Sequence, residues 1–237
     1  ETGFSFENGS AKVIYKGKEA IIDSTGKFSF PPKYDQVSIF TDSIYIVKKD
    51  GLCGLVSYSE KEILPCIYSD IGVLHENMSQ IILDDLLGFI NGKGEIVIKP
   101  KYDTPLNYQD LCVFKSGKAT VSKSDKYGAI DKTGKVVIKF SQHQLGRINS
   151  LFPYKKKELW GYMNLNGKSI VDPIYNYAED IKDGSCLVQK DTLFGCLNSK
   201  GKIIIPIEFD NIQQLNETVF FILTGKRTNT FGSIYIS

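Results

Sequence analysis

The sequence predicts an all-β protein, built as an array of short antiparallel strands. Two observations support this: a motif that recurs about every 34 residues, and apolar–polar alternation typical of half-buried strands, as in "SIYIVKK" and "KATVSKS". No helical periodicity of useful length competes with these patterns. Hydrophobic residues make up 42% and charged residues 24% of the 237 residues, so the chain can bury a sizeable core without disulfides or metal.

The recurring motif begins with a large residue followed by a small one. The small residues are Ala20, Gly54, Gly88, Gly128, Gly161, Gly195 and Gly232, spaced 34, 34, 40, 33, 34 and 37 residues apart. The large residues before the glycines are Cys53, Leu87, Tyr127, Trp160, Phe194 and Phe231. Because glycine has no side chain, we expect it to let a ring on a neighbouring strand lie across the backbone.

Three further features follow in most copies: a glycine turn, an apolar run that ends in proline, and an aromatic residue often followed by an acid. Thr133-Gly134, Pro173 and Tyr34-Asp35 are examples. Glycine supplies the positive φ of a tight hairpin, and proline, which cannot donate to a sheet ladder, marks a strand end or edge. The fourth copy, "VVIKFSQHQLGRINS", has no proline and follows the 40-residue spacing, so we expect an irregular loop there.

These features define one β-repeat domain over residues 10–237, with three or four strands in each unit. The predicted units are 10–40, 41–74, 75–110, 111–148, 149–180, 181–214 and 215–237. Residues 1–9 are expected to be a lead-in that begins with Glu1-Thr2-Gly3, the remnant that a secretory expression vector leaves. Such a unit has unpaired edges that its neighbours must cover, either in a propeller-like ring or in an open β-solenoid. Six or seven units favour the ring, although about 34 residues is short for a propeller blade.

The aromatic–glycine pair, the "D-x-x-G-K" turn, the apolar run ending in proline and the following "YD" resemble the WG-repeat family, a bacterial β-repeat. The resemblance extends from about residue 10 to 237, and only Trp160-Gly161 shows the dipeptide that gives the family its name. The resemblance implies a secreted or surface-exposed protein without an established enzymatic activity.

The charge of the chain argues against nucleic acid as a partner. Lys and Arg total 29 against 27 Asp and Glu, a formal net charge of +2, so there is little basic surplus. The run Lys155-Lys156-Lys157 is interpreted as a solvated turn. No stretch approaches the roughly 20 apolar residues of a membrane span, so no membrane insertion is expected.

Five cysteines leave two interpretations open. Cys53 and Cys66 are symmetric about the turn at 58–61, and Cys186 and Cys196 are symmetric about Asp191, so each pair would be opposed in a plain hairpin and within reach of a disulfide. Alternatively, all five cysteines are small apolar core residues, because Cys53 and Cys196 occupy positions that are apolar in other units. No cysteine spacing typical of zinc is present, and we expect neither a metal nor a cofactor.

No catalytic constellation is evident in the sequence. The two histidines, His75 and His143, have no flanking signature of a nucleophile. Paired acids such as Asp84-Asp85 and Glu179-Asp180 are poor partners if they lie on strands, because adjacent strand residues point to opposite faces. Acids at repeated positions, such as Asp35, more simply bond turn backbone.

The leading hypothesis is therefore a non-catalytic module that recognises a protein or glycan through loops on the repeat scaffold. Repeat proteins often concentrate variation in loops on one face, and the fourth unit breaks the pattern most. The predicted contact residues are His143, Gln144, Arg147, Phe152, Tyr154, Lys155 and Lys156. Trp160 is expected to belong to the core. The alternative is a glycan-active enzyme with carboxylates at one mouth of a β-propeller, and a third possibility is a spacer within a longer surface protein.

Overall fold

A computed structural model describes residues 9–104, 112–141, 143–146, 148, 150–214, 219–224 and 230–235. These residues form 25 strands and no helix, which confirms the all-β prediction. No helix that could span a bilayer occurs in these ranges. The chain divides into two compact units, residues 1–104 and 105–237. The single domain over 10–237 and the closure of the array into a ring stay predictions.

The first unit contains three groups of antiparallel strands that pair in chain order. The first group is β1 (Ser10–Tyr15), β2 (Lys18–Asp23) and β3 (Phe28–Tyr34). The second is β4 (Gln36–Thr41), β5 (Ile44–Lys49), β6 (Leu52–Ser57) and β7 (Glu62–Tyr68). The third is β8 (Asp70–Ile71), β9 (Met78–Leu83), β10 (Leu86–Asn91) and β11 (Ile96–Asp103).

The second unit contains four such groups. They begin with β12 (Lys118–Lys123), β13 (Lys126–Asp131) and β14 (Val136–Ser141), then β15 (Gln144–Leu145), β16 (Leu151–Lys156), β17 (Leu159–Asn164) and β18 (Ser169–Tyr175). The other two are β19 (Tyr177–Ala178), β20 (Ser185–Lys190), β21 (Leu193–Asn198) and β22 (Ile203–Phe209), and β23 (Asn211–Gln214), β24 (Val219–Thr224) and β25 (Thr230–Tyr235). Three or four strands per group agree with the predicted unit.

Apolar residues of consecutive groups pack together into the core of each unit. In the first unit, Leu55 and Ile81 are fully buried in one cluster. In the second unit, Tyr162, Val188 and Leu197 are fully buried in another. The middle strands are buried more evenly than the alternation predicted, since Ala119, Thr120, Val121 and Ser122 of β12 are all buried. Strands at the edge of a group, such as β7, keep exposed positions.

A bulge lies opposite five of the recurring glycines and explains the recurring proline. Trp160 pairs with Tyr175 and Tyr162 pairs with Val171, so a single residue, Gly161, faces three residues that include Pro173. Proline suits this place because a bulge residue need not donate a ladder hydrogen bond. The glycine is required because a Cβ at Gly161 would lie 2.4 Å from the Val171 carbonyl oxygen. The glycine therefore accommodates the backbone of the bulge, whereas a ring crossing the strand was predicted.

The fourth predicted unit departs from the pattern less than expected. Tyr127 pairs with Ser141 and Ala129 pairs with Ile138, so its bulge, which lacks proline, is one residue shorter. A Cβ added at Gly128 would lie 2.9 Å from the Ile138 carbonyl oxygen and 3.1 Å from the ring of Phe140, so at this glycine a ring also packs against the backbone, as predicted. Residues 144–145 then form β15, which pairs with β16 as β19 pairs with β20. The described residues 143, 146, 148 and 150 lie outside strands, so the expected irregular segment contains one short strand.

The strand register is incompatible with the two cross-strand cysteine pairs. Cys53 pairs with Tyr68, because the bulge opposite Gly54 displaces Cys66 from the plain hairpin register. Cys186 pairs with Leu197, because the hairpin turns through two residues and its centre lies after Asp191 rather than on it. All five cysteines are free thiols. The proposed opposition of Cys53 with Cys66, and of Cys186 with Cys196, is therefore wrong.

Candidate functional site

A cavity of about 730 Å³ opens on the second unit, at the ends of its short strands β15 and β19. Gln144 on β15, Trp160 on β17 and Tyr177 on β19 contribute side chains to its wall. Glu179 and Asp180, which follow β19, complete one side. The cavity therefore draws residues from neighbouring groups of strands, and it combines aromatic rings with hydrogen-bonding groups, as ligand sites commonly do.

Glu179 and Asp180 both line the cavity because the chain leaves the regular strand at Ala178. The Glu179 amide still donates to the Leu187 carbonyl oxygen at 3.0 Å, but the following residues are not in a ladder. Ile181 is 8% exposed and anchors the segment in the core. The alternation of strand side chains, on which the sequence prediction for this acid pair relied, does not apply beyond Ala178.

Tyr162 holds the backbone of this segment in place from the core side. Its hydroxyl donates to the Glu179 carbonyl oxygen at 2.8 Å, and its side chain is fully buried. Burial raises the pKa of the Tyr162 hydroxyl, with a further contribution from the Cys186 thiol. The hydroxyl therefore stays protonated and serves as a structural donor.

The aromatic wall of the cavity is formed by Trp160 and Tyr177. Trp160 is half-buried, and the Lys155 ammonium lies 5.9 Å from the centre of its ring, within range of a cation–π contact. Tyr177 is 44% exposed, and its hydroxyl donates to the Glu179 Oε1 atom at 2.9 Å. Burial and this hydrogen bond raise the pKa of Tyr177. The bond holds an aromatic ring and a carboxylate side by side at the cavity wall.

Gly146 permits the close packing of the opposite wall. Its amide donates to the Pro153 carbonyl oxygen at 2.8 Å, which extends the pairing of β15 with β16. A Cβ at this position would lie 2.6 Å from the Pro153 Cγ atom and 2.9 Å from the Asp180 Oδ1 atom. The absence of a side chain therefore lets the Asp180 carboxylate approach the end of β15.

The cavity carries charges of both signs. Lys115 and Lys182 supply two ammonium groups, and Glu179, Asp180 and Asp183 supply three carboxylates. The excess of one negative charge is small. Within the described parts of the chain, no group of three or more His, Cys, Asp or Glu side chains is arranged to hold a metal ion.

The structure separates the sequence-predicted contact residues. Gln144 lines the cavity, and Lys155 reaches it indirectly through its contact with Trp160. Lys156 is exposed at the end of β16, and His143 is partly buried with its ring 5.9 Å from that of Tyr154.

Two predicted contact residues lie in the core, and one lies outside the described residues. Phe152 is fully buried and Tyr154 is 5% exposed, both in the cluster around Leu145. The strand β16 is buried continuously from Leu151 to Tyr154, so the prediction that Phe152 and Tyr154 contact a partner is wrong. Arg147 falls outside the residues that the structure describes.

Tyr177, Asp183, Lys115 and Lys182 line the cavity but were not singled out by the sequence. Lys115 and Lys182 occupy the same position in their copies, since each forms a bridge to the first residue of the next strand, Lys118 and Ser185 respectively. An alignment of these loop positions in register would have indicated that two cations recur at one place in the unit.

Most other acids and amides at repeated positions are used by backbone. The Asp131 Oδ1 atom accepts from the Thr133 amide at 2.9 Å and from the Lys135 amide at 3.0 Å. Equivalent turns are formed by Asp23, Asn91, Asn164 and Asn198. Asp35 accepts from the Asp50 amide at 2.8 Å, which agrees with its predicted role. Asp84 and Asp85 form the turn between β9 and β10, each with positive φ.

A second cavity, of about 690 Å³, lies in the first unit beside β1 and β4. The rings of Tyr45 and Tyr58 stack there at 4.2 Å. The Lys12 ammonium is already engaged, donating to Glu19 at 3.0 Å and to the Val37 carbonyl oxygen at 3.1 Å. Its polar lining is therefore poorer in groups that can serve a ligand.

Fold and motif together define a β-repeat protein whose units combine a bulged strand with an Asx-type turn. The chain matches a family model described as WG containing repeat over residues 21–53, 88–104, 127–141, 160–191 and 194–217, just over half of its length. The chain belongs to this family. A comparison with curated proteins finds no match.

Solved structures that resemble the chain share little sequence with it. Hsv2 of Kluyveromyces lactis is 10% identical with a TM-score of 0.42, and the match covers 93% of this chain and 88% of that one. BamB from Moraxella catarrhalis is 12% identical with a TM-score of 0.40, covering 94% and 79%. The WD40 β-propeller domain of Doa1 is 10% identical with a TM-score of 0.35, covering 91% and 86%.

Proposed function

We propose that the protein is a non-catalytic binding module, secreted or exposed at a cell surface, that holds its ligand in the cavity of the second unit. One observation carries the proposal: Gln144 and Trp160 from one group of strands converge on one cavity with Tyr177 and Glu179 from the next group. Aromatic rings beside fixed polar groups provide both contact area and orientation for a ligand.

The scaffold supports binding by holding these side chains in place. The Glu179 backbone is fixed by Tyr162, and the Glu179 carboxylate is fixed by Tyr177. Gly146 and Pro153 join the opposite wall to the ladder of β15 and β16. A site on packed strands loses little conformational freedom when a ligand binds, which favours affinity.

The secreted or surface location is part of the proposal and rests on the family resemblance. Free thiols throughout the chain neither require nor forbid that location. Growth of the source cells with a surface-labelling reagent that cannot cross membranes would label the protein if it is exposed. Labelling only after lysis would contradict the proposed location.

A binding array tests the ligand site itself. Purified protein is applied to an array of glycans and extracellular protein domains, together with Tyr177→Ala and with Tyr15→Ala as a matched control. Tyr15 is a strand tyrosine in the first unit and is 46% exposed, close to the 44% of Tyr177. We expect a ligand that the protein and the control bind and that Tyr177→Ala loses. Equal binding by all three proteins would contradict a site in this cavity.

A glycan-active enzyme is the second candidate, and the adjacency of Glu179 and Asp180 in the cavity is the observation that favours it. Glycoside cleavage commonly uses two carboxyl groups on opposite sides of the scissile bond. Incubation of a bound glycan with the protein, followed by measurement of new reducing ends, separates the two functions. Turnover that Glu179→Gln or Asp180→Asn abolishes would establish the enzyme and overturn the non-catalytic proposal.

A further inference from the structure

The chemistry that lines the cavity narrows its ligand to one class. A sugar ring presents C–H groups on its faces and hydroxyl groups at its edge. Trp160 and Tyr177 offer aromatic surface for the C–H face. Glu179 and Asp180 offer carboxylate oxygens, which accept strongly from hydroxyl donors, and Gln144 offers an amide that both donates and accepts.

The balance of charge favours a neutral ligand. Three carboxylates face two ammonium groups in the lining, so the site has no strong preference for a polyanion or a polycation. A nucleic acid or a phosphorylated ligand would need a concentrated positive surface. A basic peptide would gain little, because Lys115 and Lys182 offset two of the three carboxylates.

The shape of the site favours a short chain of sugar rings over a flat protein surface. The cavity volume of about 730 Å³ lies inside the range of roughly 300–1,000 Å³ that is typical of small-molecule sites. Hot spots of protein interfaces are clusters of aromatic or Arg anchors with a rim that excludes water. Along the segment 177–183, this cavity instead has one aromatic ring, that of Tyr177, and four charged residues.

We propose that the cavity binds a neutral oligosaccharide, with one sugar ring against Trp160 and Tyr177 and with hydroxyl groups donating to Glu179 and Asp180. This inference rests on the proposed function. The Tyr177 hydroxyl, which donates to Glu179 at 2.9 Å, keeps that carboxylate oriented beside the aromatic platform. The Lys155 ammonium, which lies 5.9 Å from the centre of the Trp160 ring, also pairs with the Glu158 carboxylate at 3.3 Å.

The chain offers a built-in reporter for the test. Trp160 is the single tryptophan of the chain and lines the cavity, so its fluorescence responds directly to a ligand there. The protein is titrated with four neutral trisaccharides: N,N′,N″-triacetylchitotriose, cellotriose, maltotriose and mannotriose. Charged probes, trigalacturonate and trilysine, are titrated in parallel.

We expect a saturable change in Trp160 emission with at least one neutral trisaccharide and none with the charged probes. Glu179→Gln keeps the size of the side chain and should raise the dissociation constant at least tenfold. Tyr177→Ala should raise it by at least the same factor. Tyr15→Ala should bind as the unaltered protein does. Circular dichroism of each variant confirms that it is folded, which is expected because Tyr177 is 44% exposed.

The possible outcomes test two claims separately, the class of the ligand and the location of its binding site. Saturable binding of a charged probe alone, lost in Tyr177→Ala, would overturn the neutral oligosaccharide and leave the binding site standing. Binding of a neutral trisaccharide that all variants retain would overturn the assignment to this cavity. No change of Trp160 emission with any of the six probes would also overturn the inference, and the array described above would then decide on the proposed function.

Discussion

Gly161 lies so close to Pro173 that a Cβ on the glycine would be 2.8 Å from the proline nitrogen. Gly88 stands in the same relation to Pro100, at 2.6 Å. The glycine and the proline that mark the repeat most clearly in the sequence therefore belong to one structural feature. This feature is a bulge that contains the proline and packs against the glycine. Neither residue has a role in the cavity chemistry.

Substitution of Gly161 by Ala should destabilise the protein by about 2–3 kcal/mol, because the new methyl group would overlap fixed backbone atoms. Urea unfolding followed by circular dichroism measures the loss. Gly17→Asn is the control: nothing lies within 4 Å of a Cβ there, and Asn tolerates its φ of 78°. Equal midpoints for Gly161→Ala and the unaltered protein would show that the bulge adapts freely.

The turn of Asp131 should weaken in acid. The Thr133 hydroxyl and the Thr133 and Lys135 amides hold the pKa of the Asp131 carboxyl below its ordinary value near 3.8. Because the folded pKa is lowered, the turn contributes fully above the ordinary value, and the contribution disappears as the pH falls through the folded pKa. Proton NMR of the Thr133 and Lys135 amides should show a transition below pH 3.8.

The Asn198 turn provides the matched control for this titration. Asn198 accepts from the Lys200 amide at 2.9 Å and from the Lys202 amide at 3.0 Å, the same geometry without a titratable group. Those two amides should not titrate, and Asp131→Asn should remove the transition at Thr133. A transition that persists in Asp131→Asn would assign it to another group.

The thiols should remain reduced and mostly unreactive in the folded protein. Burial raises the pKa of Cys112 and of Cys186 to about 12, so the thiolate is scarce at pH 8. Cys66, which is partly buried, should react first with a thiol-specific reagent, and the remaining thiols only on unfolding. A gain of mass when the intact protein is reduced would reveal a disulfide and contradict the observed register.

Trp160→Ala should lower the free energy of unfolding by less than the position of Trp160 in the motif suggests. A fully buried tryptophan replaced by Ala costs about 3–5 kcal/mol, but Trp160 is half-buried, so a loss of about 2 kcal/mol is expected. Thermal or urea unfolding of Trp160→Ala, monitored by circular dichroism, measures it. A loss near 5 kcal/mol would indicate that the ring supports the core and is unavailable to a ligand.

The sequence predicted the strands and their repeat because both depend on local patterns. Alternation, glycine turns and proline positions each act within a few residues, and the structure confirms the all-β array. The opposition of Cys53 with Cys66 was wrong because the bulge places three residues between Leu64 and Tyr68, the partners of Leu55 and Cys53. The opposition of Cys186 with Cys196 was wrong because the centre of that hairpin lies after Asp191.

The candidate site was predicted only in part, because it depends on contacts between units. Gln144 was identified from the break in the repeat, but Phe152 and Tyr154, taken from the same break, face the core. Glu179 and Asp180 both line the cavity because β19 ends at Ala178. The alternation of apolar and polar residues does not reveal where this strand ends.

An NMR titration tests whether the cavity of the second unit is the functional site. Isotope-labelled protein is titrated with the ligand that binds best among the neutral trisaccharides or on the array, and the chemical-shift changes are mapped onto the chain. We predict that the largest changes fall on Gln144, Trp160, Tyr177 and Glu179. Changes centred on Tyr45 and Tyr58 in the cavity of the first unit would contradict it.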